Sequence, residues 1–381
     1  MHLNATEYKK IIGLLSDTEF EIPISQNSND IYFPCFLEKR INQYLAYYSS
    51  HLKDYTDNIL NTLDFGKNES YTLDNKIQFL ATGIMTAVQC YYRGDLREAS
   101  RVFDQSLDHA GFTQTTLVAT IPATSRFYRT RLSNGRRMKR QDLFHNPFEN
   151  RHLVATSRYS IPGLPALYLG SSVYVCWEEF NQAPIKDLYF SQFRTTRPLR
   201  VVKIQRLDDL QADLEAAEFV PSVNIVYMLR YLLLFPLTIA CSIRTKEIHG
   251  TFKPEYIIPQ LLLQYVTKNK DVDGIMFPST KVDYTTIDGV TAYNYVFPVK
   301  QVASQGLCSE LVNTFVLTEP TSTEIESLIN YSGRFITTAD QFSAIPGAIS
   351  IVEGVSTPYR ATAFGRLEDI LNLRASMPIE Q

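Results

Sequence analysis

Apolar positions in the first part of the chain recur at steps of three and four. Leu37, Ile41, Tyr44, Tyr48, Leu52, Tyr55 and Ile59 form one stripe, as on a long helix with a single buried face. The polar run Asp64–Ser70 (DFGKNES) predicts a turn, and a second stripe follows through Ile77, Leu80, Ile84, Val88 and Tyr91. Gly94-Asp95 then opens a third helix, with Asp95 as its cap, Glu98 completing a box-like pair and Gly111 as its stop. Leu96, Ser100, Phe103 and Leu107 face inward. Helices joined by short loops predict a small bundle over residues 1–118.

Beyond Val118 the period drops toward two, and turns rich in Pro, Gly, Asn and Ser separate short apolar runs. Strands are expected at Arg126–Arg131, His152–Thr156, Ala166–Leu169, Asp187–Phe193, Leu199–Lys203, Gly274–Pro278 and Asn294–Val299. Helices are expected at Ser172–Phe180, Leu207–Glu218 and Pro259–Lys268. After Gly306 the pattern reads as a strand (Leu311–Thr318), a helix opened by Thr323-x-x-Glu326, and a last helix near Gly365–Ala375. The order of elements is α+β. The most apolar segment, Val223–Ile243, is interrupted by Arg230 and Pro236; it predicts a buried helix that passes into a buried strand after the proline. Too few uncharged residues follow Arg230 to span a bilayer, which takes about 20.

Composition adds few constraints. A chain of 381 residues suits two cores better than one. A net charge of −3 argues against a surface built to coat nucleic acid. Cys35, Cys90, Cys176, Cys241 and Cys308 are scattered, with no Cys-x-x-Cys pair and no nearby His at zinc-ligand spacing, so reduced thiols and no metal are expected. The segment MHLNATEYKK carries no signal-type apolar core, and a soluble, cytoplasmic protein is expected.

The densest punctuation lies in RYSIPGLPALYLGSSVYVCWEEF, Arg158–Phe180. It reads as a polar residue, a Pro-Gly turn, a strand ending near Tyr168, a Gly-Ser-Ser turn and a helix carrying Trp177, Glu178 and Glu179. The spacing of Arg158, Tyr168 and Glu179 resembles the signature of the RES family. FYRTR (Phe127–Arg131) is similar to that family's opening strand, with the motif arginine at Arg129. EYIIPQLLLQYV (Glu255–Val266) and DGIMFPST (Asp273–Thr280) resemble its helix–strand pair, ending in the serine for which the family is named, here Ser279. YNYVFP (Tyr293–Pro298) resembles its closing strand.

The resemblance covers Pro122–Lys300 and departs from the family at the insert Leu132–Gln141 and at Tyr159, where Trp is common. It implies an ADP-ribosyltransferase-like core of mixed β-sheets with helices over residues 119–305; the all-helical, HEPN-like bundle over 1–118 and an α/β extension over 306–381, both read from the sequence pattern, lie outside it. It implies consumption of NAD⁺ as substrate, with no other cofactor. The acceptor would be water or phosphate; a protein acceptor, giving an ADP-ribosyltransferase, is the alternative. A toxin or phage-defence setting follows, with an antitoxin or other regulatory partner and a homo-oligomer among the expected assemblies.

The residue types suit that chemistry. Breaking the nicotinamide–ribose bond builds positive charge on the sugar, which a nearby carboxylate stabilises. Glu179 is the candidate. Guanidinium groups bind diphosphate with forked hydrogen bonds, which fits Arg129 and Arg158. Tyr168 offers a ring face, and Ser279 a hydroxyl for the ribose or for orienting the glutamate. Asn294 and His145 complete the substrate-binding candidates.

Other readings remain. Taken alone, Arg158 with Glu179 reads as a strand-tying ion pair, and Tyr168 and Trp177 as core; the accompanying motifs favour the functional reading of Arg158, Tyr168 and Glu179. The cluster Arg136, Arg137, Lys139, Arg140 reads as a solvated loop. Arg140-x-x-x-x-His145 matches the spacing of HEPN-type ribonucleases but lies outside the helical bundle. A catalytically silent binding module is the further alternative. Neither phosphate-cradling glycine loop nor a G-x-S-x-G elbow occurs.

Overall fold

A computed structural model describes residues 13, 20–62, 72–111, 118–133, 135–216, 221–301, 303–329 and 347–379. The turn expected at Asp64–Ser70 lies outside them.

Helix α1 (Phe33–Tyr47) carries Pro34 in its first turn and buries Phe36, Leu37, Ile41 and Tyr44. A π-helical turn, Tyr48–Leu52, joins it to α2 (Lys53–Thr62). Thr72 caps α3 (Leu73–Tyr92), and Asp95 caps α4 (Leu96–Ala110) by accepting from Glu98 N at 3.0 Å. Gly111, at φ 78°, ends α4 as expected. The Glu98 carboxylate turns to Arg101 instead of closing a capping box. At Gly83 a Cβ would come within 2.3 Å of Ser106 Cβ, so only glycine lets α3 and α4 approach this closely.

Strands β1 (Ala119–Ile121), β2 (Arg126–Leu132) and β3 (Ala166–Gly170) follow, then α5 (Val173–Glu179), β4 (Leu188–Thr195) and β5 (Leu199–Lys203). Three helices come next, α6 (Leu207–Ala216), α7 (Pro221–Cys241) and α8 (Ile257–Lys268). The remaining elements are β6 (Gly274–Pro278), β7 (Ile287–Asp288), β8 (Tyr293–Pro298), α9 (Ser309–Thr314), β9 (Phe315–Leu317), α10 (Thr323–Ile329), β10 (Ala348–Val352), β11 (Val355–Pro358) and α11 (Ala363–Leu373). The protein is thus mixed α and β.

Three expectations are corrected. The segment expected as a strand at His152–Thr156 instead begins inside a 3₁₀ helix, Phe148–Leu153, and its remaining residues belong to no strand. Leu311–Thr318 is divided between α9 and β9. The helix of Val223–Ile243 continues through Pro236 to Cys241. Pro236 supplies no N–H to the carbonyl one turn back, Leu232 O. That carbonyl instead accepts the Tyr44 hydroxyl at 2.6 Å, so the helix passes the proline without an orphaned acceptor. Among the described residues, Val223–Cys241 is the one stretch long and apolar enough to cross a membrane, and 78% of it is buried within the protein.

Two compact units result. The first comprises Met1–Ala119, Ser157–Tyr159 and Val202–Val272; the second comprises Thr120–Thr156, Ser160–Val201 and Asp273–Gln381. This division differs from one at 118/119 and 305/306. A helix apolar all round, as α7 is, must be enclosed, and within the first unit it packs on α1 and α3 of the helical leader.

An eight-stranded sheet runs in the order β1-β5-β6-β8-β3-β2-β4-β9, and the second unit also holds a three-stranded sheet, β11-β10-β7. Register fixes the faces. Tyr128 pairs with Gly170, Gly170 with Asn294, and Tyr128 with Gln192, so these share one face. There Tyr128 and Phe190 pack against α5, Tyr359 and α11. Phe127, one residue from Tyr128, joins the aromatic layer of Tyr295, Phe297 and Phe315 on the other face.

Candidate functional site

Ser172 starts α5 by accepting Val175 N at 3.1 Å. The helix lasts seven residues and ends on two successive glutamates with different fates. Glu178 is 7% exposed and both its oxygens accept from Gln182 Nε2. The Glu179 side chain keeps 33% of its surface. Its Oε1 accepts the Ser279 hydroxyl at 2.7 Å and the Asn294 amide at 2.6 Å. Three residues singled out in the sequence therefore meet at one carboxylate oxygen, while Oε2 has an ion-pair partner, Lys281.

Each partner is itself held. Ser279 follows β6, is fully buried, and donates its N–H to Ala292 O at 2.9 Å. Its Oγ accepts the backbone N–H of Lys281 at 3.2 Å, so the hydroxyl proton is directed at Glu179. Asn294, on β8 opposite Gly170, is 6% exposed. A residue with no sequence signal joins them. Lys281 Nζ donates to Glu179 O at 2.5 Å and Asn181 Oδ1 at 3.0 Å, and stands 3.7 Å from Glu179 Oε2. It caps the carbonyl end of α5 and places a cation beside the second carboxylate oxygen. The chain leaves α5 through Asn181 and Gln182, at φ 53° and 56°, a conformation that costs non-glycine residues of order 1 kcal/mol each. The Trp177 indole holds this exit by donating to Ala183 O at 2.8 Å.

Tyr168 sits on β3 opposite Val296, on the same sheet face as Asn294. Arg129 leaves β2 on the other face, beside Phe127 and Arg131. β2 and β3 share a single register pair, and in the gap beyond it Arg129 Nη1 donates to the Tyr168 carbonyl at 2.6 Å. Arg158 belongs to the first unit. It is 8% exposed, lies 5.1 Å over the Tyr256 ring, and Nη1 reaches Cys241 O and Glu255 O at 3.4 Å. These contacts make it a framework group of that unit.

His145, expected to contact substrate, is corrected to a structural role. It has no exposed surface, and both ring nitrogens are engaged. Nε2 accepts Cys308 N at 2.9 Å, which leaves the proton on Nδ1 for Asn146 O at 2.8 Å. Burial, with Arg129 and Arg131 nearby, lowers its pKa to about 4, so the ring is neutral.

Behind α5 lies a second buried carboxyl. Glu368, 2% exposed on α11, accepts Val173 N at 2.6 Å and the Tyr359 hydroxyl at 2.5 Å through Oε1. Burial raises its pKa to about 8, against the opposing pull of those two donors. The residues after Gly306 thus pack against the start of the helix that ends on Glu179. No group of His, Cys, Asp and Glu among the described residues is arranged to hold a metal ion.

No family model and no solved structure matches the chain. It is 31% identical over 384 aligned positions to the Bacillus subtilis (strain 168) protein named "Putative toxin YopC". That alignment covers 96% of this chain and 81% of the relative.

Proposed function

The chain belongs to the family of that Bacillus subtilis protein, and on this premise we propose that it is a toxin-like enzyme that cleaves NAD⁺ between nicotinamide and ribose, on an ADP-ribosyltransferase-like core. One observation carries the reading: Ser279 and Asn294 fix one oxygen of Glu179 and leave the other beside Lys281. Neutral hydrogen bonds to Oε1 orient the carboxylate, whose charge is shared with Lys281 3.7 Å from Oε2. As the glycosidic C–N bond breaks, nicotinamide departs neutral with the bonding electron pair, and positive charge develops on the ribosyl C1 and ring oxygen. Glu179 Oε2 is placed to stabilise that charge, and water or phosphate then adds to C1. Tyr168, on the same sheet face, offers its ring to the ribose or nicotinamide.

The test is incubation of the purified chain with NAD⁺ and chromatography for free nicotinamide. Release that disappears in Glu179→Gln with the thermal melt unchanged supports the reading; no release by the folded wild-type chain under any acceptor, or full release by Glu179→Gln, overturns it. Added phosphate that yields an ADP-ribose phosphate identifies phosphorolysis, and label appearing on protein identifies transfer.

A further inference from the structure

α5 has seven residues, too few for a helix to be stable alone, so its position is set by what grips its two ends. The far end carries Glu179 and is held by Lys281 and the Trp177 indole. The near end is gripped from outside its own segment. Val175 N finds Ser172 Oγ, but Val173 N is met at 2.6 Å by Glu368 Oε1 on α11. The Tyr359 hydroxyl donates to that same oxygen and accepts Tyr174 N at 3.5 Å. Phe364, one turn before Glu368 on the same face of α11, sets its ring 5.1 Å from Trp177 and 5.5 Å from Tyr174. α11 is itself tied to its approach. Thr362 caps it by accepting Gly365 N at 3.2 Å. Gly365 lies so close to the preceding 3₁₀ turn, Tyr359–Ala361, that a Cβ there would stand 2.5 Å from Tyr359 O. This tight approach brings the Tyr359 hydroxyl back onto Glu368, nine residues along the chain.

We propose that Glu368 is a positioning residue for Glu179: by holding the start of α5 it sets where the helix delivers that carboxylate to Ser279 and Asn294. The catalytic role of Glu179 rests on the function proposed above; the mechanical link from α11 to the end of α5 does not. From Val173 to Glu179 the helix spans about 9 Å at 1.5 Å per residue, and its internal hydrogen bonds carry a shift at one end to the other. The Ser279 and Asn294 donors are fixed by β6 and β8, so a displaced helix end takes Glu179 Oε1 out of line with both. α11 lies outside the segment that resembles the RES family, and it becomes part of the framework of the site.

The test reads the far end of α5 in the full chain carrying Glu368→Leu, with Glu368→Gln as the variant that keeps the acceptor. At that far end Phe180 N and Gln182 N bond Trp177 O, and Asn181 N bonds Glu178 O. Hydrogen exchange read by mass spectrometry is expected to be about tenfold or more faster over residues 173–182 in Glu368→Leu, with β2 and β4 as in wild type. Glu368→Gln is expected to exchange as wild type. The emission of Trp177, the one tryptophan in the sequence, is expected to shift in the leucine variant alone. If Glu368→Leu does not fold by circular dichroism, Tyr359→Phe removes one donor from the same oxygen and is expected to give a smaller change in the same direction. Unchanged exchange at residues 180–182 overturns the proposal, as does equal acceleration in β2 and β4, which would mean global loosening. Nicotinamide release by Glu368→Leu is expected to show kcat lowered about tenfold with little change in KM, and Glu368→Gln to restore most of it; a leucine variant with wild-type kcat overturns the proposal. A wild-type chain that releases no nicotinamide removes the NAD⁺ reading and leaves the exchange result to decide this one.

Discussion

Ser279 donates its hydroxyl to Glu179 Oε1 across 2.7 Å, joining residues 100 positions apart in the chain. The direction of that bond is imposed by the backbone, because the N–H groups of Lys281 and Val282 occupy the acceptor side of the same oxygen. With Asn294 on the same carboxylate oxygen, the glutamate is fixed by one strand end, one strand interior and its own helix. A site assembled this way does not depend on the mobility of any single loop.

Removing the two anchors therefore has graded effects. Glu179→Gln is expected to lower the rate of nicotinamide release roughly a hundredfold to a thousandfold, as for loss of one preorganised electrostatic group. Asn294→Ala and Ser279→Ala leave the carboxylate in place but loosen it, and each is expected to cost less than Glu179→Gln. Glu178→Gln, whose oxygens face Gln182, is expected to leave the rate within a few-fold of wild type. Initial rates by chromatography rank the four; a Glu178→Gln loss larger than that of Glu179→Gln contradicts the assignment.

Lys281 is expected to act through the end of α5. Lys281→Met removes the donor to Glu179 O and the cation beside Oε2, while Lys281→Arg keeps a charge there. The expected outcome is a fall in kcat of about tenfold for Lys281→Met with little change in KM, and partial recovery in Lys281→Arg. Equal losses in both variants count against a positional role.

Glu368 makes stability fall as pH rises. Its folded pKa of about 8 lies above the usual glutamate value near 4.5, so between those limits the native state holds a proton that the unfolded chain has lost. The stability this contributes is complete below the unfolded value and is lost as pH rises through about 8, at up to about 1.4 kcal/mol per pH unit. Glu368→Gln keeps acceptors for Val173 N and the Tyr359 hydroxyl without the charge. Urea melts at pH 5 and 8.5 are expected to show a smaller pH-dependent loss in the variant; identical slopes contradict this account.

His145 works in the opposite sense. Its pKa is lowered to about 4 from near 6.5, so its contribution is present above 6.5 and lost as pH falls through 4. Protonation would set a second N–H against Cys308 N and strip that donor of its acceptor. His145→Gln is expected to lower stability at pH 7 and to flatten the pH dependence between 6.5 and 4, read by thermal melts.

Part of the candidate site was legible because Glu179 and Ser279 sit at a helix end and just past a strand end, inside short segments dense in Pro, Gly and Ser. Glu179, Ser279 and Asn294 are positions singled out through the resemblance to the RES family, and they converge on one carboxylate. Asp95 and Gly111 likewise gave away the ends of α4. What was not legible is tertiary. Lys281 is one lysine in a loop, and only the position of the α5 carbonyl end makes it significant. His145 looks like a site histidine in sequence, but its surroundings bury it and occupy both nitrogens. The continuation of α7 past Pro236 depends on a tyrosine hydroxyl from a helix far upstream.

That last dependence is directly measurable. Leu232 O lies one turn before Pro236, which has no N–H to give it, and its partner is the Tyr44 hydroxyl at 2.6 Å. Tyr44→Phe is expected to cost about 1–3 kcal/mol by leaving a buried carbonyl unsatisfied. In a Pro236→Ala background the alanine N–H bonds Leu232 O within the helix, so the same Tyr44→Phe change is expected to cost much less. Denaturant unfolding of the two single variants and the double variant gives the coupling energy between positions 44 and 236. Additive effects would mean that the hydroxyl stabilises the bundle by some route other than this carbonyl.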